Sequence, residues 1–205
     1  MNNPFPEEAH QQYIENIIKD VLSDEYVNLF ITNFVLSEND VKQTSNVFCD
    51  IQFSNDWKEQ QIEGRGTGAV NALVNGMMET FSQRFFSLEQ VELDDFAVQV
   101  KFASTRRSTD APVEIKLALR NERNQRIYFY ATSRSMVIAA VSVIRKAFEY
   151  LINAERAILQ LKEDIACAQL RNRQDLVSKC TRQMTELVRI LSYENVIKKY
   201  KKIDI

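Results

Sequence analysis

A glycine-rich turn in front of an amphipathic run constrains this chain more than any other stretch. Three of the four glycines fall within five residues: Gly64, Gly66 and Gly68. Glycine at this density indicates a backbone that needs positive φ or the close approach of another group. The turn follows a polar, strand-like run (57–63), and the spacing of apolar residues after it predicts a helix over about 69–83. Unpaired N–H groups and the helix dipole at such a turn favour a carboxylate or phosphate.

The same pattern recurs 67 residues later in the chain. Residues 62–81 align with residues 129–148, and both segments read as a strand, a small polar turn and an amphipathic helix. Identical residues coincide at Val70/Val137, Ala72/Ala139, Val74/Val141 and Phe81/Phe148. We interpret this as an internal duplication.

The remaining periodicities predict an α+β fold. A helix is expected before residue 23, because Pro6 is followed by two acids and then by an apolar stripe. It either packs on the core or docks a partner. Period-two runs then predict strands at 26–39, 45–55 and 57–64, and again at 91–104, 111–121 and 125–133. The expected organisation is β-β-β-α twice, as antiparallel sheet with helices over one face.

The C-terminal part is helical for longer than an ordinary globular helix. The apolar spacing continues from Ser135 to about Leu170, is interrupted by residues 171–175, and then resumes to Leu191. A long helix folded back as a hairpin and a coiled-coil arm between subunits both fit this pattern. The predicted division is therefore 1–25, 26–153 (units 26–83 and 91–153) and 154–205.

Composition narrows the classes of function. The net charge of −2 gives no general reason to bind nucleic acid. Three cysteines without CxxC spacing and a single histidine, His10, support no disulfide framework, no zinc site and no histidine-based catalysis. The start has no secretory signal pattern, and no apolar run is long enough to span a bilayer. We expect a cytoplasmic protein with no metal, no cofactor, no nucleic-acid partner and no membrane partner.

Two motifs resemble those of one family. Residues 66–73, Gly-Thr-Gly-Ala-Val-Asn-Ala-Leu, resemble the G-x-G-P-V-D-A-L signature of the regulatory domain of 2-isopropylmalate synthase and citramalate synthase. Residues 133–140, Ser-Arg-Ser-Met-Val-Ile-Ala-Ala, are similar to its S-x-D-I-V-E-A-S motif, and residues 93–96 to its L-x-D-Y strand start. The resemblance covers residues 26–153.

The resemblance implies a fold and a role. That domain consists of two β-β-β-α units, forms a dimer, and binds leucine or isoleucine near the dimer interface to inhibit a separate catalytic barrel. By implication this chain is a free-standing, non-catalytic regulatory domain in leucine biosynthesis that acts on a partner enzyme. The resemblance and the two helix N-termini, brought together by a pseudo-twofold, predict these ligand-binding residues: Gly66, Thr67, Gly68, Val70, Asn71, Phe96, Ser133, Ser135 and Met136.

Departures from the family pattern leave a second function open. Ala69 and Asn71 replace the family's Pro and Asp, and Ser135 and Ile138 replace its Asp and Glu. The lost carboxylates are possible partners for a ligand ammonium group and for the other subunit. The alternative is a protein-interaction module that kept the fold and lost the ligand. The stretch 64–69 also matches a dinucleotide fingerprint, but the strand before it is too polar for a buried parallel strand.

Overall fold

The chain folds into two similar α+β units, as the periodicities predict. The computed structural model describes residues 6–54, 56–100, 111–191 and 196–197 of the 205-residue chain. Parts of four predicted segments lie outside these residues: 1–5, 55, 101–104, and 192–205 apart from 196–197.

Each unit is a three-stranded antiparallel sheet followed by a helix. The first unit contains β1 (Leu29–Asn39), β2 (Thr44–Phe53), β3 (Asp56–Gly66) and α2 (Ala69–Phe81). The second contains β4 (Val91–Val100), β5 (Val113–Asn121), β6 (Arg126–Ser133) and α3 (Met136–Leu170). The strand orders are β1-β2-β3 and β4-β5-β6. Helices α1 (Pro6–Leu22) and α4 (Gln174–Leu187) flank the two units.

Two structural features repeat between the units in support of the duplication. Helices α2 and α3 begin at Ala69 and Met136, which are separated by the same 67 residues as the sequence alignment. The first strand of each unit also carries a β-bulge at its fourth residue, between Ile31 and Asn33 in β1 and between Leu93 and Asp95 in β4. Because a bulge changes register and strand direction at one point, its recurrence indicates a repeated structural plan.

The core lies where the helices cover the sheets. Helix α2 packs on β2 and β3, and α3 packs on β5 and β6. Alternate residues of the central strands are fully buried, among them Ile51 in β2 and Ile115 in β5. Met77 of α2 and Ile144 of α3 are buried against them. Burial of such side chains stabilises the fold by about 1.5–3 kcal/mol each.

The helices outside the two units pack within the chain. Ile14, Ile18 and Leu22 on one face of α1 are buried, so α1 is part of the core as one of the two alternatives predicts. Helix α3 is continuous for 35 residues, and α4 folds back along its C-terminal half, beside α1. The hairpin interpretation of the C-terminal part is therefore confirmed.

Side chains cover the backbone of two edge strands. Gln11 of α1 accepts a hydrogen bond from Tyr128 N–H and donates one to Tyr128 O (2.9 and 2.6 Å), which occupies the free edge of β6. Leu29 at the start of β1 donates its N–H to Glu149 (3.0 Å), and its carbonyl accepts from Arg145 (2.9 Å). An edge strand with satisfied backbone groups is a poorer template for uncontrolled pairing.

Among the helices in the described part of the chain, none has the length and apolarity needed to cross a membrane.

Candidate functional site

The glycine turn allows β3 and α2 to approach each other at backbone distance. A Cβ on Gly64 would lie 2.0 Å from the carbonyl oxygen of Ala72, and one on Gly66 would lie 2.4 Å from Asn71 Oδ1. Gly76 lies within α2 and faces Gly64. A Cβ added to Gly76 would lie 2.9 Å from the Cα of Gly64. None of these glycines has positive φ. Of the two reasons that the sequence offered for the glycines, close approach is the one that applies.

Gly68 differs from its neighbours because space is open beside it. It is the N-cap of α2, its backbone is extended (φ −167°, ψ 166°), and an added Cβ would meet no atom within 4 Å. No side chain among the described residues caps this end of α2. The first N–H groups of the helix, at the positive end of its dipole, therefore have no side-chain cap among the described residues.

Asn71 and Thr67 stabilise the turn itself. The side-chain oxygen of Asn71 accepts a hydrogen bond from the Thr67 N–H (3.2 Å), and the neighbouring Asn75 donates to the carbonyl of Arg65 (2.9 Å). The Thr67 side chain is exposed, and Val70 is half-buried against the core. The amide of Asn71 is thus oriented toward its own turn, while Thr67 Oγ1 remains accessible.

The equivalent turn of the second unit is capped from within. Ser135 is the N-cap of α3, and its Oγ accepts a hydrogen bond from Ile138 N–H (3.3 Å). Ser133 Oγ accepts from the N–H of Ser135 (3.2 Å). Met136 and Ile138 are 56% and 59% exposed. The first turn of α3 consequently presents apolar side chains rather than open N–H groups.

A groove separates the first turn of α3 from strand β1. Its volume is about 500 Å³, and Val137, Ile138 and Val141 of α3 face residues 29–34 of β1 across it. Phe30, in that stretch of β1, is 51% exposed. Met136 and Ile138, at the start of α3, are the two exposed apolar side chains on this side of the groove. The groove and these two side chains are here called the β1–α3 surface.

Phe96 lies on a strand of the second sheet rather than in either turn. It is in the middle of β4, pairs with Leu117 of β5, and is half-buried against the core. Helices α2 and α3 meet further along their lengths, around a cavity of about 100 Å³ lined by Val74 and Met78 on one side and Phe148 on the other. The convergence of the two turns on one ligand stays a prediction.

A family model described as the LeuA allosteric (dimerisation) domain matches residues 8–152, well over half of the 205 residues. The chain belongs to this family. Membership supports a regulatory and dimerisation role for the LeuA-type domain, which spans most of α1, the six strands, α2 and the first half of α3. A comparison with curated proteins found no match.

Sequence reasoning missed two buried polar groups in the middle of α3 that bind backbone of the preceding segments. Glu155 of α3 is fully buried, and its carboxylate accepts from the N–H groups of Phe86 (3.2 Å) and Ser87 (2.6 Å). Asn153 is equally buried and binds the backbone of Val27. The signal was present in the sequence, because Asn153 and Glu155 stand within a largely apolar stretch of α3, and buried polar residues require partners.

Proposed function

We propose that this chain is a non-catalytic regulatory module that forms a homodimer, binds a branched-chain amino acid such as leucine, and thereby controls a partner enzyme. The observation that carries the proposal is the uncapped N-terminus of α2, with open space at Gly68, in a chain of the LeuA allosteric domain family. The predicted ligand residues remain those around the two turns, together with Phe96.

The chemistry of the α2 turn supports binding of the ligand carboxylate. Backbone N–H groups at a helix N-terminus bind anions without any cationic side chain. Gly68 leaves open space beside the helix start, and the exposed hydroxyl of Thr67 is available as a further donor. Val70 is the first large apolar residue after this turn, so it is our choice for contact with the branched side chain.

The β1–α3 surface supports dimerisation. Met136 and Ile138 are both more than half exposed, and they lie next to a groove whose other wall includes Phe30. Exposed apolar surface of this kind indicates an interface. In a dimer this surface would be covered, and the turn at Ser133 and Ser135 would lie close to the partner subunit.

A thermal-shift titration with leucine, isoleucine and valine tests the ligand. A ligand that binds only the folded state raises the unfolding midpoint with concentration. Gly68→Asp places a carboxylate at the N-cap, which favours the helix but repels the carboxylate of the ligand, so it should abolish the shift while preserving the midpoint of the free protein. Gly68→Ala is the matched control and should retain binding.

Dimerisation has its own test by light scattering at micromolar concentration. The wild-type chain should have twice the mass of one chain, and Met136→Glu should give a monomer because it places a charge on the β1–α3 surface. A monomeric wild-type protein would contradict this part of the proposal, whatever the outcome with the amino acids.

The capped turn of α3 favours a second candidate function. Ser135 replaces a family carboxylate and its hydroxyl oxygen is engaged by Ile138 N–H, while Met136 beside it is exposed. A module of this kind would keep the dimer and bind another protein instead of an amino acid. An unchanged midpoint with all three amino acids, together with a dimeric mass, would favour this candidate.

A further inference from the structure

One edge of strand β1 is open along residues 33–39. Strand β2 pairs with the other edge, and among the described residues no strand pairs with this one. The start of β1 is closed, because Arg145 and Glu149 of α3 bind the backbone of Leu29. The free edge of β6 is likewise occupied, by Gln11. The protein therefore covers other strand edges and leaves residues 33–39 accessible, and we call this segment the open edge.

The register of β1 shows which of its backbone groups point outward. Alternate residues of β2 have these partners on β1: Phe53 with Leu29, Cys49 with Phe34, and Val47 with Leu36. In an antiparallel ladder, alternate pairs have the same orientation. The N–H and carbonyl of Leu29 bind side chains of α3, so they face away from β2. The backbone groups of Phe34 and Leu36 consequently face away from β2 as well, toward the space that a further strand would occupy.

The side chains of the open edge are apolar on both faces of the sheet. On the outer face, Val35 (50% exposed) pairs with Phe48 of β2 (47% exposed). On the inner face, Phe34 and Leu36 are half-buried against the core. The segment contains neither lysine nor proline, the residues that commonly protect an exposed strand edge, and Glu38 is its only charged residue. This composition favours pairing with another strand.

We propose that the open edge pairs with the open edge of a second copy of this chain, antiparallel about a two-fold axis at Val35. The inference rests on the homodimer of the proposed function and names the strand through which that dimer forms. Phe34 then lies opposite the partner's Leu36, and their outward backbone groups form the ladder hydrogen bonds. The exposed pair of Val35 and Phe48 continues across the axis into the same pair of the partner, which covers both side chains.

The open edge is complementary to its own reverse, which a two-fold interface requires. The bulge before Asn33 ends the regular strand on one side, so the paired segment is residues 33–37. This segment carries no charge, so no like charges face each other across the axis. Its first residues also belong to the groove of the β1–α3 surface, so the two surfaces are continuous. A second copy is the favoured occupant because the chain matches a dimerisation domain.

A charge at the axis tests the proposal. Val35→Lys would place two ammonium groups opposite each other, so it should raise the dissociation constant of the dimer at least tenfold in light scattering over a concentration series. Val98→Lys is the matched control, because Val98 is a valine of similar exposure (46%) on the edge strand β4 of the other sheet. It should leave the dissociation constant unchanged. Circular dichroism of both variants checks that the fold is retained.

A cysteine at the axis gives a second readout that does not depend on weakening the dimer. Val35 and the partner's Val35 form a non-hydrogen-bonded pair, whose Cα atoms are about 4.5 Å apart, within the range of about 4.4–6.8 Å that a disulfide spans. In Val35→Cys, the introduced thiols of two chains should therefore form one S–S bond with oxidised glutathione, which is reduced to two thiols. Non-reducing electrophoresis should show a covalent dimer that wild type and Val98→Cys do not form.

The outcomes distinguish this proposal from the proposed function. A monomeric wild-type protein would overturn both. A dimer that persists in Val35→Lys, without cross-linking of Val35→Cys, would overturn the pairing of the open edge and leave the homodimer intact. Loss of the dimer in both lysine variants would involve β4 and would overturn an axis at Val35. Loss in Val35→Lys alone, together with cross-linking of Val35→Cys, supports the proposal.

Discussion

The side-chain amide of Asn153 forms both of the hydrogen bonds that a neighbouring strand would offer to Val27. Its Oδ1 accepts from the Val27 N–H (2.9 Å), and its Nδ2 donates to the Val27 carbonyl (2.7 Å). Both residues are buried, and they are 126 positions apart in the chain. The amide thereby fixes the segment before β1 to the middle of α3, and so joins the first unit to the second.

Replacement of this amide should be costly. Asn153→Ala leaves a buried N–H and a buried carbonyl at Val27 without their partner, and we expect a loss of about 2–4 kcal/mol in the free energy of unfolding. Urea unfolding followed by circular dichroism measures it. Asn16→Ala, at an exposed site on α1, is the control and should stay within about 0.5 kcal/mol. A similar loss in both variants would contradict the assigned role.

Substitution by alanine should change the stability by very different amounts at two glycines of the same turn. At Gly64 a methyl group would overlap the Ala72 carbonyl at 2.0 Å, so Gly64→Ala should force β3 and α2 apart at a cost of roughly 3 kcal/mol. At Gly68 the methyl group would meet no atom within 4 Å, and Gly68→Ala should change the stability by less than about 1 kcal/mol. Denaturant midpoints of the two variants, measured side by side, check this contrast. Equal midpoints would refute it.

The buried carboxylate of Glu155 should not be replaceable by its amide. Glu155→Gln keeps the shape but offers one oxygen acceptor where the N–H groups of Phe86 and Ser87 now meet two. The side-chain NH₂ would face a donor, and we expect a loss of about 1–3 kcal/mol. Hydrogen exchange of the Phe86 and Ser87 amides should become faster than in the wild type. Unchanged protection at both amides would argue against these two bonds.

Because of the buried thiol of Cys49, the free energy of unfolding should decrease at alkaline pH. Burial, followed by the charge of Asp50, raises the pKa of this thiol to about 11. Because the thiol loses its proton at lower pH in the unfolded state than in the folded state, its protonation stabilises the folded state. This stabilisation is complete below the unfolded pKa of about 8.5 and is lost as the pH rises toward 11. Urea midpoints from pH 8 to 11 measure the slope, which should be shallower in Cys49→Ala.

Because Cys49 is buried and Cys167 is exposed, the two thiols should differ in reactivity. With a thiol reagent near pH 8, the exposed Cys167 should react in the folded protein, whereas Cys49 should react only after unfolding. Rapid labelling of Cys49 without denaturant would show that β2 opens locally and would contradict the expected order.

Much of the fold was predictable from local pattern. Apolar residues at periods of two and 3.6 determined which segments form strands and helices, since each segment must direct one face to the core. The recurrence over 67 residues determined that the same unit is built twice, and the α2 and α3 starts confirm the offset. The motifs at residues 66–73 and 133–140 pointed to the family that the chain belongs to.

The candidate site was less predictable, because its properties depend on contacts between distant segments. Two helix starts with similar sequences differ in the structure: Ser135 caps α3, whereas the N-cap of α2 is a glycine without a side chain. The pairing of Phe96 with Leu117 of β5 follows from strand register, which periodicity does not specify.

The sequence by itself determined the elements, their duplication and the family, because these depend on residue spacing along the chain. Only the tertiary structure decided that α4 folds back on α3, that Gly64 and Gly76 face each other, and that the buried hydroxyl of Tyr150 has no hydrogen-bond partner among the described residues. Each of these requires residues from separate segments to occupy one volume. Packing of the whole chain fixes that volume, and local propensity does not encode it.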